Sequence, residues 1–274
     1  MSRLGRLFKP TFAEPSPGGG GGRETGPRSD GDDGAAAARR EADLSHAGVL
    51  RVFPPVPGST RIVLIRHGQA ECNVNRVVGG VKGCTGLTPM GRRQVADLAD
   101  RLFESGELRD ATTLYSSVLP RAVETAERLR PVVGPGPSAL GPIVQECDLC
   151  ELHPGESDGM NWDQVVERLG VPDWDRDPSA PIAPGGESWS SFVVRASDAV
   201  RALARRHPGE LVVAAVHAGV IEATMISFLG VPPETYRRGW VHIAHASITE
   251  WAWVPDEDRW ILLRFNDSCG VPQA

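Results

Sequence analysis

The sequence has few of the features on which nucleic-acid-binding and membrane proteins depend. Its 29 lysine and arginine residues are outnumbered by 35 aspartate and glutamate residues, and aromatic residues make up only 6% of the chain. The longest apolar run, Leu211 to Val216, is far shorter than the roughly 20 residues needed to cross a bilayer, and the N-terminus lacks the apolar stretch of a signal peptide. These absences predict a cytoplasmic protein with no nucleic-acid or membrane partner.

Cysteine is also scarce. The five cysteines are an odd number at irregular spacing, in a chain large enough to fold without disulfides, so we predict free thiols. Cys147 and Cys150 form a C-x-x-C pair, but no second pair of ligands follows at a spacing that zinc sites use, and the pair does not open a helix after a strand as redox motifs do. We therefore expect neither a metal site nor a cofactor.

The first 50 residues differ in composition from the rest of the chain. They contain five consecutive glycines, several prolines and almost no large apolar side chains, which predicts a disordered, low-complexity tail. Residues 1–12 are basic with interspersed leucine and phenylalanine; a short docking helix is conceivable there, but an unstructured end is the favoured interpretation. Residues 51–274 are predicted to form one domain.

Strand-like and helix-like periodicities alternate within that domain. "RIVLIR" and "LVVAAV" are typical of strands buried on both faces, whereas "LTPMGRRQVADLADRLFESG" has helical spacing with Thr88 as its N-cap. A second long helix is predicted from Ser188 to about Arg206, and another from about Val220 to Leu229. The end of the chain reads as a hairpin around "VPDED". The pattern predicts an α/β fold, a three-layer α/β/α sandwich with a mostly parallel central sheet.

Residues of one chemical kind follow three of the predicted strands. Arg66 and His67 come after "IVLI", Arg121 after "TLYSS", and His217 after "LVVAAV". In open α/β sheets the ligand site lies beyond the carboxyl ends of the strands, so these groups are expected to converge. Each has an ordinary structural explanation by itself, but burying four potentially cationic groups together without an anion is costly. Two guanidinium groups with two imidazoles predict a phosphate site.

Five segments also resemble a known family. They are, in chain order, "LIRHGQAECN", "LTPMGRRQV", "LYSSVLPRAVETAERL", "PGGES" and "VVAAVHAGVI". Together they resemble the histidine phosphatase superfamily, which contains cofactor-dependent phosphoglycerate mutases and many phosphatases. The similarity extends from about Arg61 to Trp253, and it implies a phosphoglycerate mutase-like fold for the catalytic domain.

The resemblance implies a role for each matching residue. His67 would be the nucleophile that becomes phosphohistidine, and Glu151 would be the general acid for the leaving oxygen. Arg66, Arg121 and His217 would hold the phosphate oxygens. Further substrate contacts are implied, with less support for the last two, at Asn73, at the backbone N–H of Ala218, and at Thr85 and Gly86.

Two departures from the family pattern bear on these roles. The usual histidine-glycine-glycine run is "HAG" here, but Ala218 still offers a backbone N–H. The residues after Glu151 lack the tryptophan and glutamate that often follow in the family, so Glu156 and Asp158 remain alternative acids. For His153, His242 and His245 we favour structural roles.

Three functions fit these motifs. The stretch from Leu152 to Glu167 has no lysine or arginine, whereas the mutases place basic residues after the acid motif to hold a second anionic group. This favours hydrolysis of a small phosphorylated metabolite over mutase activity. A third hypothesis, an inactive module that recognises phosphate, is disfavoured because His67 and Glu151 are both present. The substrate is not determined by the sequence, and a homodimer is compatible with it.

Overall fold

A computed structural model of the chain describes residues 56–136, 140–231 and 241–273. The predicted disordered tail of residues 1–50 and the N-terminal docking segment lie outside these ranges. All five cysteines lie within them, and each is a free thiol, as predicted. Among the described helices there is none with the length and apolar character to span a bilayer.

The described residues form six strands and six α-helices. The strands are β1 (Thr60–Arg66), β2 (Ala111–Ser116), β3 (Val144–Gln145), β4 (Leu211–Val216), β5 (Ile248–Val254) and β6 (Arg259–Asp267). The helices are α1 (Glu71–Val74), α2 (Pro89–Ser105), α3 (Pro120–Leu129), α4 (Trp162–Arg168), α5 (Trp189–Arg206) and α6 (Ala218–Phe228). Short 3₁₀ turns lie between them, including one at Cys147–Leu149.

The six strands form one sheet in the order β3-β2-β4-β1-β5-β6. The first four in this order run parallel, and the β5–β6 hairpin joins β1 antiparallel at one edge. This confirms the mostly parallel sheet and the C-terminal hairpin. The hairpin turn is the stretch predicted from "VPDED", where Pro255–Glu257 form a 3₁₀ turn.

Helices cover both faces of the sheet, because both faces of its central strands are apolar. Val63 and Ile65 of β1 pack in one core with side chains from α2 and α3, including Leu98 of α2. Ile62 and Leu64 point to the opposite face and pack with side chains from α5 and α6. Alternate residues of a strand face opposite sides of the sheet, so β1 is buried between two helical layers. The three-layer prediction is confirmed.

The helices begin where their capping residues predict. The Thr88 hydroxyl accepts a hydrogen bond from the Gly91 N–H at 2.9 Å, and Ser188 caps α5 in the same way. Helix α6 starts at Ala218, two residues earlier than predicted. The reason is that no loop separates β4 from the helix: His217, the residue after β4, has an extended backbone and is itself the N-cap of α6. The N-terminus of α6 therefore lies directly at the end of β4.

The register of the central strands brings their carboxyl ends to one level. Arg66 of β1 is opposite Val216 of β4, and Ser116 of β2 is opposite Ala215. The residue that follows each strand therefore emerges at the same edge of the sheet. These residues are His67, Ser117 and His217.

Candidate active site

His67 is buried, with 3% of its surface exposed, and its backbone N–H donates to the Val216 carbonyl at 3.0 Å. Its Nδ1 lies 2.6 Å from the Gly68 carbonyl oxygen, and the Arg121 Nε–H donates to its Nε2 at 3.1 Å. An arginine nitrogen can only donate, so Nε2 is the acceptor and the ring proton is on Nδ1. This tautomer has its lone pair on Nε2, the atom that can attack an electrophile.

The surroundings of His67 keep its ring neutral. Burial is the largest cause, followed by the positive charge of Arg121 and the nearby His217 and Arg66, and together they lower the pKa of His67 well below its usual range. A neutral imidazole is the nucleophilic form, so His67 is available for attack at neutral pH.

Arg66 is held by two contacts and has one free nitrogen. Its Nη1 donates to the Ile243 carbonyl, and its Nη2 donates to His245 Nε2 at 3.0 Å. Its Nε is buried and has no hydrogen-bond partner. Burial lowers the pKa of Arg66 to about 10, partly countered by the nearby Glu151 carboxylate, so the guanidinium remains charged at neutral pH.

Arg121 lies in the first turn of α3, with 4% of its surface exposed. Its Nη1 donates to the Gly79 carbonyl at 2.7 Å while its Nε contacts His67. The guanidinium is therefore fixed between the nucleophile candidate and the loop that follows α1.

His217 is fully buried, and its ring centroid lies 5.1 Å from that of His67. Its Nε2 is 2.7 Å from the Ser117 hydroxyl oxygen, and its Nδ1 has no hydrogen-bond partner. Burial, then the charges of Arg121 and Arg66, lower the pKa of His217 well below its usual range.

The unpartnered atoms indicate what the site binds. Among the described residues, four buried side-chain nitrogen or oxygen atoms have no hydrogen-bond partner, and two of them, Arg66 Nε and His217 Nδ1, belong to this cluster. Buried polar atoms nearly always have a hydrogen-bond partner. Two such atoms without one, in a cluster that contains two guanidinium groups, therefore indicate a binding site for an anion with several acceptor oxygens. The two guanidinium groups can only donate hydrogen bonds, which suits a phosphate anion.

Glu151 is held at the N-terminus of α6. Its carboxylate accepts hydrogen bonds from the Gly219 N–H at 3.1 Å and from its neighbour Leu152 N–H at 3.2 Å. A Cβ atom on residue 219 would lie 2.2 Å from the Glu151 Oε1, so only glycine permits this approach. The carboxylate is close enough to Arg66 to act on its pKa, which brings Glu151 to the same edge of the sheet as His67.

The predicted substrate contacts are less uniform. Asn73 accepts the Ala70 N–H at 3.1 Å through its side-chain oxygen, which caps α1, and Ala218 is the first residue of α6. Gly86 is buried with φ of +108°, and its carbonyl accepts the Glu71 N–H, while Thr85 is exposed. No contact found among the described residues joins Thr85 or Gly86 to His67.

The two alternative acids have different positions. Asp158 accepts the backbone N–H groups of Lys82 and Gly83 at 2.9 and 3.0 Å, so its carboxylate fixes the loop after α1. Glu156 is exposed on a 3₁₀ turn. Glu151 is the candidate whose carboxylate lies at the start of α6, next to His217.

Three residues beside the cluster were missed by the sequence interpretation. Ser117 follows β2 directly, so the placement rule used for the histidines would have found it. His245, for which we favoured a structural role, contacts Arg66 and lies 6.0 Å from His67 between ring centroids, but it follows no strand end. Glu222 is a single acidic residue in the apolar run of α6, and that isolation was its signal.

Glu222 is a buried carboxylic acid next to Glu151. Burial, and then the negative charge of Glu151, raise its pKa to about 8. At neutral pH Glu222 is therefore mostly uncharged.

The chain is similar to a known protein family and to several known proteins. The family model described as histidine phosphatase superfamily (branch 1) matches residues 62–268. A metal-independent phosphoserine phosphatase of Arabidopsis thaliana is 30% identical over 171 residues, which are 60% of this chain and 66% of that protein. The chain thus spans just under two thirds of this relative's length.

Two further matches extend the comparison. A 2,3-bisphosphoglycerate-dependent phosphoglycerate mutase of Brucella anthropi is 30% identical over 181 residues, covering 64% of this chain and 84% of the mutase. The solved structure of a mycobacterial glucosyl-3-phosphoglycerate phosphatase complexed with VO3 superposes with a TM-score of 0.60 and 26% identity, over 76% of this chain and 98% of that one. The relatives therefore include both phosphatases and mutases.

The raised pKa of Glu222 predicts a pH-dependent contribution to stability. Its folded pKa of about 8 exceeds the ordinary 4.5, so its contribution is fully present below pH 4.5 and is lost as the pH rises through about 8. We expect the free energy of unfolding to fall between pH 5 and pH 8.5 by a few kcal/mol more in the wild type than in Glu222→Gln, since one pKa unit corresponds to about 1.4 kcal/mol. Urea denaturation at both pH values measures this. Glu156→Gln, which alters an exposed carboxylate, should behave as the wild type; equal losses in the wild type and Glu222→Gln would contradict the assignment.

Proposed function

Because the chain belongs to the histidine phosphatase superfamily (branch 1), we propose that it is a metal-independent phosphomonoester hydrolase that forms a phosphohistidine on His67. One observation carries the proposal: the neutral His67 presents Nε2 to the Arg121 guanidinium, in a cluster where Arg66 Nε and His217 Nδ1 are buried without a partner. This is the arrangement that a phosphoryl group needs at the moment of transfer.

In the proposed first step, the Nε2 lone pair of His67 attacks phosphorus, and the bond from phosphorus to the ester oxygen breaks. The Nδ1 proton stays hydrogen-bonded to the Gly68 carbonyl, which stabilises the positive charge that develops on the ring. Arg66, Arg121 and His217 bind the phosphoryl oxygens. Glu151 takes up a proton from solvent as the anionic phosphate binds beside it, and then donates that proton to the leaving oxygen.

In the proposed second step, water attacks the phosphohistidine and Glu151 accepts the proton of that water. The phosphorus–nitrogen bond breaks, and its electron pair returns to Nε2, which restores the neutral ring. Asn73 and the Ala218 N–H are proposed to bind phosphoryl oxygens in both steps. The Asn73 side-chain oxygen already caps α1, so its Nδ2 is the atom that would serve.

Local charge favours hydrolysis over mutase activity. A bisphosphate would need a second set of cations near the site. The loop that reaches Arg121 is joined to the segment after Glu151, since the Val78 N–H donates to the Met160 carbonyl and Arg76 pairs with Asp163 at 2.9 Å. The segment after Glu151 is acidic, and Arg76, the arginine that contacts it, is already ion-paired with Asp163. The similarity to a phosphoglycerate mutase keeps mutase activity as the competing function.

The substrate class is proposed from the relatives. Two of them are named as phosphatases of phosphoserine and of glucosyl-3-phosphoglycerate, which are both small phosphomonoesters. We propose a substrate of this class. An inactive phosphate-recognising module is the remaining alternative, and the presence of both His67 and Glu151 argues against it.

A substrate panel separates the three functions. We expect steady phosphate release from 4-nitrophenyl phosphate in the presence of EDTA, because His67 and the N–H donors need no metal for the transfer. Phosphoserine, 3-phosphoglycerate and glucosyl-3-phosphoglycerate are then compared by kcat/KM. Conversion of 3-phosphoglycerate to 2-phosphoglycerate that depends on 2,3-bisphosphoglycerate and outpaces phosphate release would establish the mutase instead. Binding of phosphate without turnover of any ester would establish the inactive module.

Glu151→Gln should slow substrates according to their leaving group. General acid catalysis contributes about 10²–10⁴-fold, so we expect kcat/KM for phosphoserine to fall by at least about 100-fold. The loss for 4-nitrophenyl phosphate should be much smaller, because nitrophenolate leaves without a proton. Glu156→Gln and Asp158→Asn are the matched controls and should lack this leaving-group dependence. If either control shows it and Glu151→Gln does not, the acid is misassigned.

A further inference from the structure

A second cluster of chemically competent side chains lies on the segment that carries Glu151. Cys147, Cys150 and His153 each offer one ligand atom, and these three atoms all lie within 4.8 Å of one another. The 3₁₀ turn at Cys147–Leu149 brings the two thiols together, since the Cys150 N–H donates to the Cys147 carbonyl at 2.8 Å. The sequence interpretation found the C-x-x-C pair but not the histidine that completes a C-x-x-C-x-x-H set.

The spacing of these atoms fits a tetrahedral metal ion. Zinc binds cysteine sulfur at about 2.3 Å and histidine nitrogen at about 2.0 Å, so tetrahedral angles place two such ligands about 3.5 Å apart. The Sγ of Cys147 and the Nε2 of His153 are 3.5 Å apart. This pair therefore already stands at the separation that coordination requires, and Cys150 Sγ lies within 4.8 Å of both atoms.

His153 is oriented as a metal-binding histidine usually is. Its Nδ1 faces the Glu187 carboxylate at 3.6 Å, and its backbone N–H donates to the same carboxylate at 2.8 Å. Arg195 in turn contacts both oxygens of Glu187, at 2.7 and 2.8 Å. A carboxylate on Nδ1 favours the proton there and leaves the Nε2 lone pair for a metal, the arrangement found around zinc-bound histidines.

The cluster is accessible from solvent on one side. Cys147 is exposed and lines a surface cleft of about 500 Å³ together with Glu146, Asp148, Ala199, Ala202 and Arg206. Cys150 is buried, and His153 is partly exposed. A metal ion can thus reach the cluster from solvent at Cys147 and His153 and keep a fourth position for water.

We propose that Cys147, Cys150 and His153 form a zinc site with three protein ligands. Two thiolates and an imidazole are ligands that zinc prefers, and oxygen-loving cations such as Mg²⁺ are disfavoured. The ligands flank Glu151 in the chain, and Arg195 also donates to the Cys150 and Asp148 carbonyls. The ion therefore fixes the segment that positions Glu151. The binding itself is independent of the proposed function.

Cobalt is the probe that reports the ligands directly, because thiolate coordination of Co²⁺ produces a sulfur-to-metal charge-transfer absorption. Co²⁺ is added to the full-length, tag-free, fully reduced protein under argon. We expect one Co²⁺ per chain, this absorption, and its loss when Zn²⁺ displaces Co²⁺. Cys147→Ser and His153→Ala should each weaken binding by at least about 10-fold, whereas Cys269→Ser, which alters another exposed cysteine, should bind as the wild type.

Alkylation provides a readout that needs no variant. Cys147 and Cys269 are both exposed, so both react with iodoacetamide in the metal-free protein. Added Zn²⁺ should slow the reaction at Cys147 by at least about 10-fold and leave Cys269 unchanged, as peptide mass spectrometry can measure. Equal rates with and without Zn²⁺ would overturn the proposal.

The proposal would also be overturned if the reduced protein binds no Co²⁺ while air oxidation joins Cys147 to Cys150, because the pair would then be a redox couple. Neither readout measures phosphatase activity, so failure of the zinc proposal would leave the proposed function intact.

Discussion

The parallel pairing of β1 with β4 is the constraint on which the rest of the site depends. Their register sets Arg66 opposite Val216, and the His67 N–H continues the ladder by donating to the Val216 carbonyl. A slip of one residue would exchange the β1 side chains that pack on the two helical layers and would separate His67 from His217. The two helical layers that bury both faces of the sheet therefore also hold the two imidazoles 5.1 Å apart between ring centroids.

The same burial determines the electrostatics. Two guanidinium groups removed from water are costly unless other groups compensate. Backbone carbonyls of Gly79 and Ile243 accept part of their hydrogen bonds, and Glu151 offsets part of the charge. Burial and the neighbouring positive charges keep His67 and His217 neutral. The two guanidinium groups stay positively charged, and one of their nitrogens, Arg66 Nε, has no partner, so the cluster is suited to bind the oxygens of a phosphoryl group. Burying these donors thus costs folding stability, and the same burial prepares them to bind an anion, as is common at functional sites.

Much of this could be predicted from the sequence, because strand ends and helix caps are local signals. The buried strands, the Thr88 cap and the placement of His67, Arg121 and His217 follow from short patterns. Contacts between distant segments could not be predicted in this way. His245, for example, contacts Arg66 from a segment without strand periodicity. The position of Glu151 was inferred by resemblance, because the residues next to it in the sequence do not show that Gly219 leaves room for its carboxylate.

The central claim is that His67 carries the phosphoryl group. It is tested most directly by mixing the full-length protein with a phosphomonoester, quenching in base within the first turnover, and mapping the modified peptide by mass spectrometry. Phosphate attached to His67, stable in base and labile in acid, and missing from His67→Ala, is the expected result. Turnover by an enzyme in which His67 is never modified, or phosphate found instead on a carboxylate or hydroxyl group, would contradict it.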